Sequence, residues 1–285
     1  MATVLITGTS SGIGLATAVT LARAGHTVIA GMRNPNNANE LKEIVAKERL
    51  PVSPITLDVD DDASVTQAHE QTLADHGRID VLVNNAGIAG PGSVEETPLD
   101  RFRAMMETNF FGTLRCIKTV LPHMLERRTG CIINISSVAG RVAVAPQAAY
   151  AASKHALEAL SECLAQEIRA FNVRVVMVEP GPTATPIWQK AGPLTTRYPH
   201  GRRLAALFAA LLEKPTSPYV VGEEVREIIE GDSWQFRYPS GPFAPLALAW
   251  RLRTLDDNWI EMLSGSDSDW AATVKREFGV DITLS

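Results

Sequence analysis

The sequence predicts an α/β fold built on a doubly wound parallel sheet of about seven strands, with helices on both faces. Three observations predict it. Short apolar runs alternate with segments of helical period from the first residues onward. Those runs are unbroken rather than alternating, as in strands buried on both faces. The first of them ends in a glycine-spaced turn that leads straight into a helix.

Taken in order, Thr3–Thr7 is the first strand, and Gly12–Ala24 is a helix with Ile13, Ala16, Leu21 and Ala24 at helix-compatible spacing. Thr27–Gly31 is the second strand, Ala38–Lys47 a helix, and Ile55–Asp58 the third strand. Ala63–Asp75 is helical, Val81–Val83 is the fourth strand, and a long, interrupted helical stretch runs from Pro98 to Arg127. Cys131–Ile135 is the fifth strand, Ala148–Phe171 a helix, and Arg174–Val178 the sixth strand. From residue 180 onward lie all five Trp and ten of the 17 Pro, so the last third reads as loop-rich, with a helix over Glu223–Glu230 and a seventh strand over Trp234–Tyr238. Alternation of this kind implies right-handed crossovers.

The 285 residues are 45% apolar and 21% charged with net charge −5, a composition expected of one globular domain spanning 1–285, with 186–285 supplying a substrate lid and a C-terminal extension. A mildly acidic chain lacks the basic field that nucleic-acid binding requires. Cys116, Cys131 and Cys163 have no pairing or metal-ligand spacing, which points to buried small hydrophobes in a reducing compartment and to no metal site. The Asp60-Asp61-Asp62 run reads as a helix-start cap. The first residues lack a signal-peptide pattern, and no run is long enough to span a membrane, so a cytoplasmic location is expected.

Thr7-Gly8-Thr9-Ser10-Ser11-Gly12-Ile13-Gly14 carries the first turn. A diphosphate needs backbone N–H groups at a helix N-terminus and no side chains in the way. Gly8 permits the tight turn, Gly12 lets backbone approach a cofactor, and Gly14 allows close helix–strand packing. In this strand–turn–helix context it reads as the phosphate turn of a Rossmann fold, with Gly-x3-Gly-x-Gly in place of the standard Gly-x-Gly-x2-Gly spacing. At the end of the second strand an acid would mark NAD, by holding a ribose 2′-hydroxyl. Arg33 stands there instead, 19 residues past Gly14, and a guanidinium attracts the 2′-phosphate that separates NADP from NAD. NADP(H) is therefore expected in preference to NAD(H).

Tyr150 and Lys154 share one helix face at i, i+4, and Tyr150 is the only tyrosine in the first 197 residues. Ser137 closes the fifth strand 13 residues earlier, and Asn84-Asn85-Ala86-Gly87 follows the fourth strand at the carboxyl edge where open α/β sheets bind ligands. Thr-Gly-x3-Gly-Ile-Gly, Asn-Asn-Ala-Gly, Ser-x12-Tyr-x3-Lys and Pro180-Gly181 together resemble the short-chain dehydrogenase/reductase family, in its classical branch, over roughly residues 3–190.

The resemblance implies an oxidoreductase that interconverts an alcohol and a carbonyl. Tyr150 would be the general acid or base and Lys154 its cation and ribose ligand. Ser137 would hold the substrate oxygen, and Asn109 a water in the proton relay. Ser10, Ser11 and Ile13 join the cofactor turn. Asp58 and Val59 would contact adenine, and Asn85, Ala86 and Gly87 would shape the adenosine–ribose region. Pro180, Gly181, Thr185 and, as a fallback, Thr183 would hold the nicotinamide carboxamide. A nearby cation is expected to lower the tyrosine pKa toward neutrality. Val28-Ile29-Ala30-Gly31-Met32-Arg33 and the Thr-Gly-x-Ser-Ser-Gly-Ile-Gly turn resemble hydroxysteroid- and retinol-dehydrogenase-type members, which implies an apolar substrate lying against Ser137, Val138, Tyr150 and Trp188. A cofactor-binding regulatory protein without turnover is the alternative. An epimerase of the extended branch is disfavoured by the glycine spacing. The helices after Pro98 and around Tyr150 resemble those that form shared interfaces in the family, which implies a homodimer or homotetramer. Leu204, Leu207, Phe208 and Leu211 form one apolar face of a short helix, either a lid or a face packed on the body.

Overall fold

The computed structural model describes residues 1–187, 189 and 196–284. Among them, seven strands form one parallel sheet: β1 (Thr3–Thr7), β2 (Thr27–Met32), β3 (Val52–Thr56), β4 (Val81–Asn84), β5 (Gly130–Ile135), β6 (Val173–Pro180) and β7 (Arg237–Ser240). Their order is β3-β2-β1-β4-β5-β6-β7. The chain winds outward from β1 to β3 and then crosses back to β4, so the strand order reverses beside β1, where a crevice opens at the carboxyl ends.

The helices of the first half are α1 (Gly12–Arg23), α2 (Asn39–Glu48), α3 (Asp62–His76), α4 (Leu99–Met106), α5 (Thr113–Arg127) and α6 (Ala148–Ile168). Those of the last third are α7 (His200–Leu211), α8 (Pro218–Glu230), α9 (Phe243–Arg253), α10 (Asp256–Ser264) and α11 (Asp267–Phe278). Alternate residues of each central strand feed opposite cores. Val4 and Ile6 join Leu15 and Val19 of α1, Leu41 of α2 and Val221 and Val225 of α8. Leu5, Ile29, Leu82 and Ile132 join Val65 of α3, Ile117 and Met124 of α5 and Leu164 of α6. A further apolar cluster ties Val138 and Val142 to Trp250 of α9 and Trp259 of α10.

Several expectations are corrected. The third strand is Val52–Thr56, so Asp58 lies beyond it rather than closing it. Pro54 masks this strand in the sequence, but β3 is an edge strand, where a missing donor is tolerated. The seventh strand is Arg237–Ser240 instead of Trp234–Tyr238, and Trp234 is exposed. The α6 helix ends at Ile168, and Arg169–Phe171 continue as a 3₁₀ turn. The break in the Pro98–Arg127 stretch is a π-helical turn over Glu107–Gly112. The last third is mainly helical rather than loop-rich. Three of its prolines stand at helix starts, Pro199 and Pro242 just before α7 and α9 and Pro218 opening α8. Cys163 is exposed, whereas Cys116 and Cys131 are buried, and burial pushes their thiols up to about 12 and about 11. Among the described residues no helix is long and apolar enough to cross a membrane.

Candidate active site

A cavity of about 600 Å³ opens at the carboxyl ends of the strands. One end is the β1–α1 turn. Gly8 and Gly12 have φ of +72° and +61°, which L side chains rarely adopt. A Cβ on Gly8 would stand 2.8 Å from the Ala86 Cα, and one on Gly12 would stand 3.2 Å from Thr185. Gly14 lies behind the cavity wall, where a Cβ would collide with the Gly8 carbonyl oxygen and the Asn85 amide. Ser11 precedes α1 without a side-chain cap, and no acid occupies the first turn, so the helix-end N–H groups remain for an anion. Ser10, Ser11, Gly12 and Ile13 line this end, which fits a diphosphate.

The turn is held from β4. Thr7 Oγ1 accepts from the Asn85 and Ala86 amides at 3.0 and 2.9 Å, and Asn85 Nδ2 donates to the Thr7 and Gly8 carbonyls at 2.8 and 3.0 Å. The Asn85 side chain is thus spent on clamping the turn, while Asn85, Ala86 and Gly87 still border the cavity. Sequence reasoning did not assign Thr7 this role, because a hydroxyl inside a buried strand gives no local signal. Arg33 is exposed at the rim, with Asn34 and Asn37 beside it. Asp58, Val59 and Asp60 complete that wall. Asp61 is the α3 cap, accepting from the Ala63 and Ser64 amides, while Asp60 accepts from the Thr108 hydroxyl at 2.9 Å. Burial raises the Asp60 carboxyl despite that hydrogen bond.

At the centre, α6 brings Tyr150 and Lys154 to the end of β5, where Ser137 stands. The Ser137 side chain hydrogen-bonds the Tyr150 phenol and also accepts from the Ala139 amide at 3.1 Å. Lys154 Nζ donates to the Ile135 carbonyl at 2.8 Å. Burial pushes the Lys154 ammonium down to about 8. It pushes the Tyr150 phenol up, with only the Ser137 hydrogen bond opposing it. The expected lowering of the tyrosine pKa by Lys154 is absent here, because desolvation outweighs it and the ammonium is turned to a carbonyl. A neutral phenol beside a serine hydroxyl can donate a proton to a carbonyl oxygen.

Asn109 is buried in the π-helical turn and does not line the cavity. Its Oδ1 accepts from the Ile88 amide at 2.8 Å, and its Nδ2 donates to the Ile88 carbonyl and to Ser153 Oγ, both at 2.9 Å. Ser153 in turn donates to the Tyr150 carbonyl at 2.8 Å, so Asn109 braces the helix that carries Tyr150. Pro180, Gly181, Thr183 and Thr185 line the cavity past β6. The far end is apolar, walled by Val138 and Val142, by Leu204, Leu207 and Phe208 of α7, and by Trp250. Trp188 lies outside the described residues.

A profile of the family described as short chain dehydrogenase matches residues 2–194, and the chain belongs to that family. It is 42% identical over 178 residues to a 3-ketodihydrosphingosine reductase of Bacteroides thetaiotaomicron, covering 62% of each chain. It is 44% identical over 188 residues to retinol dehydrogenase 8 of Bos taurus, covering 64% of this chain and 59% of that one. The matches therefore span less than two thirds of these relatives' length. Among solved structures, a short-chain dehydrogenase from Streptomyces avermitilis superposes with TM-score 0.78 at 33% identity, over 88% of this chain and 92% of that one.

Proposed function

We propose that the protein is an NADP(H)-dependent oxidoreductase that interconverts an apolar alcohol and its ketone or aldehyde. The observation that carries this reading is the meeting of Ser137, Tyr150 and Lys154 midway along one cavity, between a diphosphate-shaped turn and an apolar chamber. When bound, the nicotinamide cofactor supplies the hydride. The chain's own residues do the rest. Gly8, Ser10, Ser11, Gly12 and Ile13 hold the diphosphate, and Arg33 with Asn34 and Asn37 meets the 2′-phosphate. Asp58 and Val59 flank the adenine, with Asn85, Ala86 and Gly87 alongside the ribose. Pro180, Gly181, Thr183 and Thr185 hold the carboxamide end. Ser137 donates to the substrate oxygen as charge gathers there, and Tyr150 passes its proton to that oxygen. Lys154 steadies the ribose and the phenol, and Asn109 holds Tyr150's helix in register.

Val138, Leu204, Leu207 and Phe208 exclude water from the reacting carbonyl, and α7 acts as the lid over it. The names of two relatives, a 3-ketodihydrosphingosine reductase and a retinol dehydrogenase, support a bulky apolar substrate. The pocket's apolar wall supports it independently. The protein is further expected to work as a homodimer or homotetramer. A panel of apolar and polar ketones, aldehydes and alcohols, followed by nicotinamide absorbance with NADP(H) and NAD(H), tests the reading. Turnover of apolar members with NADP(H) is expected, and no turnover across the panel would contradict it.

A further inference from the structure

Behind the site lies a buried charge cluster that the proposed reaction does not use. Glu158 follows Lys154 by one turn on the same face of α6, and both are 5% exposed. Glu179, at the end of β6, is fully buried. Arg237 of β7 bridges the two acids, with its Nε 3.1 Å from Glu158 Oε2 and 3.6 Å from Glu179 Oε1. Arg141, from the turn that follows Ser137, lies 3.8 Å from Glu179 Oε1. Glu162, one more turn along α6, takes the outer face of Arg237 at 2.7 Å. The π-helical turn packed on α6 presents the neutral Asn109 through Ser153. Glu158 Oε1, both Glu179 carboxylate oxygens and Ser136 Oγ are buried without a hydrogen-bond partner in the protein.

Burying carboxylates with unfilled oxygens is costly unless their charge serves a neighbour. Two acids crowd one guanidinium nitrogen, with Glu158 the nearer at 3.1 Å, and Glu179 is pushed up to about 7 by burial and by Glu158. Facing it along the helix is Lys154, whose ammonium donates to Ile135 and is otherwise buried. Glu158 is the group whose field opposes the desolvation of Lys154. We propose that Glu158 is a positioning residue: held by Arg237 against Glu179, its carboxylate keeps the buried Lys154 side chain in the ammonium form at neutral pH. This inference rests on the reading of Lys154 and Tyr150 as an acid–base pair, but it can be tested without turnover.

The test is a titration of the cofactor-free protein carrying ¹³C-labelled lysine ε-carbons, followed by NMR. The Lys154 resonance is identified by its loss in Lys154→Met. In the unsubstituted protein its midpoint is expected at about 8. In Glu158→Gln it should move to lower pH by roughly 1 unit, the scale of a close opposite charge. Glu158→Asp should restore most of the shift. Arg237→Gln, at a half-buried edge-strand position, should move the midpoint the same way, because the Glu158 carboxylate loses the guanidinium that holds it in place. An unmoved midpoint in a folded Glu158→Gln protein overturns the proposal. Should that variant fail to fold, an unmoved midpoint in Arg237→Gln overturns it instead. A Tyr150→Phe protein that keeps its turnover would defeat the functional reading while leaving these midpoints as they are, so the two failures are distinct.

Discussion

At the scale of single residues, burial decides the chemistry more than proximity does. Tyr150 sits at a desolvated position that keeps its phenol neutral, which suits proton donation to a carbonyl. Lys154 is held to about 8 by the same desolvation. Its charge is present below that value and lost as pH rises through it. Carbonyl reduction is therefore expected to hold level toward neutral pH and to decline above about 8, as a pH profile of kcat/KM would show. Arg33 stands at an exposed rim, where on the proposed reading its guanidinium would meet a 2′-phosphate in water. Replacing it with Ala should weaken NADP binding by roughly 1–3 kcal/mol, the range for hydrogen bonds to charged groups, and leave NAD nearly unchanged. Isothermal titration with both cofactors checks this, and equal losses would remove Arg33 from 2′-phosphate recognition.

The strand–turn–helix unit β1–α1 shows what an element adds. Thr7, Gly8, Gly14 and Asn85 form one interlocked knot, in which a Cβ on Gly14 has no room beside the Gly8 carbonyl. Gly14→Ala should lower Tm by several degrees, since overpacking typically costs about 1–3 kcal/mol. It should also weaken cofactor binding, because the turn must move to admit the methyl group. A thermal melt with a cofactor titration measures both, and an unchanged melt would mean the knot is looser than its geometry. This element was legible in the sequence because glycine spacing and apolar runs are local signals. The β3 and β7 strands were misplaced because Pro54 and Pro239 are tolerated at sheet edges, and edge status is a tertiary property. Parts of α7 and α8 were legible, at Leu204–Leu211 and Glu223–Glu230, whereas α9 was hidden because Pro242 and Pro245 mark a loop and a helix start alike. Ser137, Tyr150 and Lys154 were legible from their spacing. The roles of Thr7, Ser153, Glu158 and Glu179 were not, since each depends on partners distant in sequence.

For the whole molecule, the seven-stranded sheet places the assigned cavity residues at one edge, and α7, α9, α10 and α11 add a largely apolar wall. The second half of the chain thus turns a shared cofactor-binding body into a chamber of its own shape, which is where substrate preference would be set. Phe111 in the π-helical turn and Leu99 on α4 are exposed apolar residues on the stretch whose family counterparts form shared interfaces. Burying them against a second copy agrees with the expected twofold assembly. Light scattering at micromolar concentration should give a dimer or tetramer of the 30.8 kDa chain, and a single monomeric species would contradict that assembly.

The most direct test of the account is the paired measurement of turnover and NADPH binding in Tyr150→Phe. Losing one buried hydroxyl should leave the fold and the cofactor affinity unchanged and reduce turnover by about 10²-fold or more, the scale of general acid catalysis. A variant that binds NADPH and still reduces its substrate at a near-normal rate would contradict the assignment of Tyr150 as the proton donor.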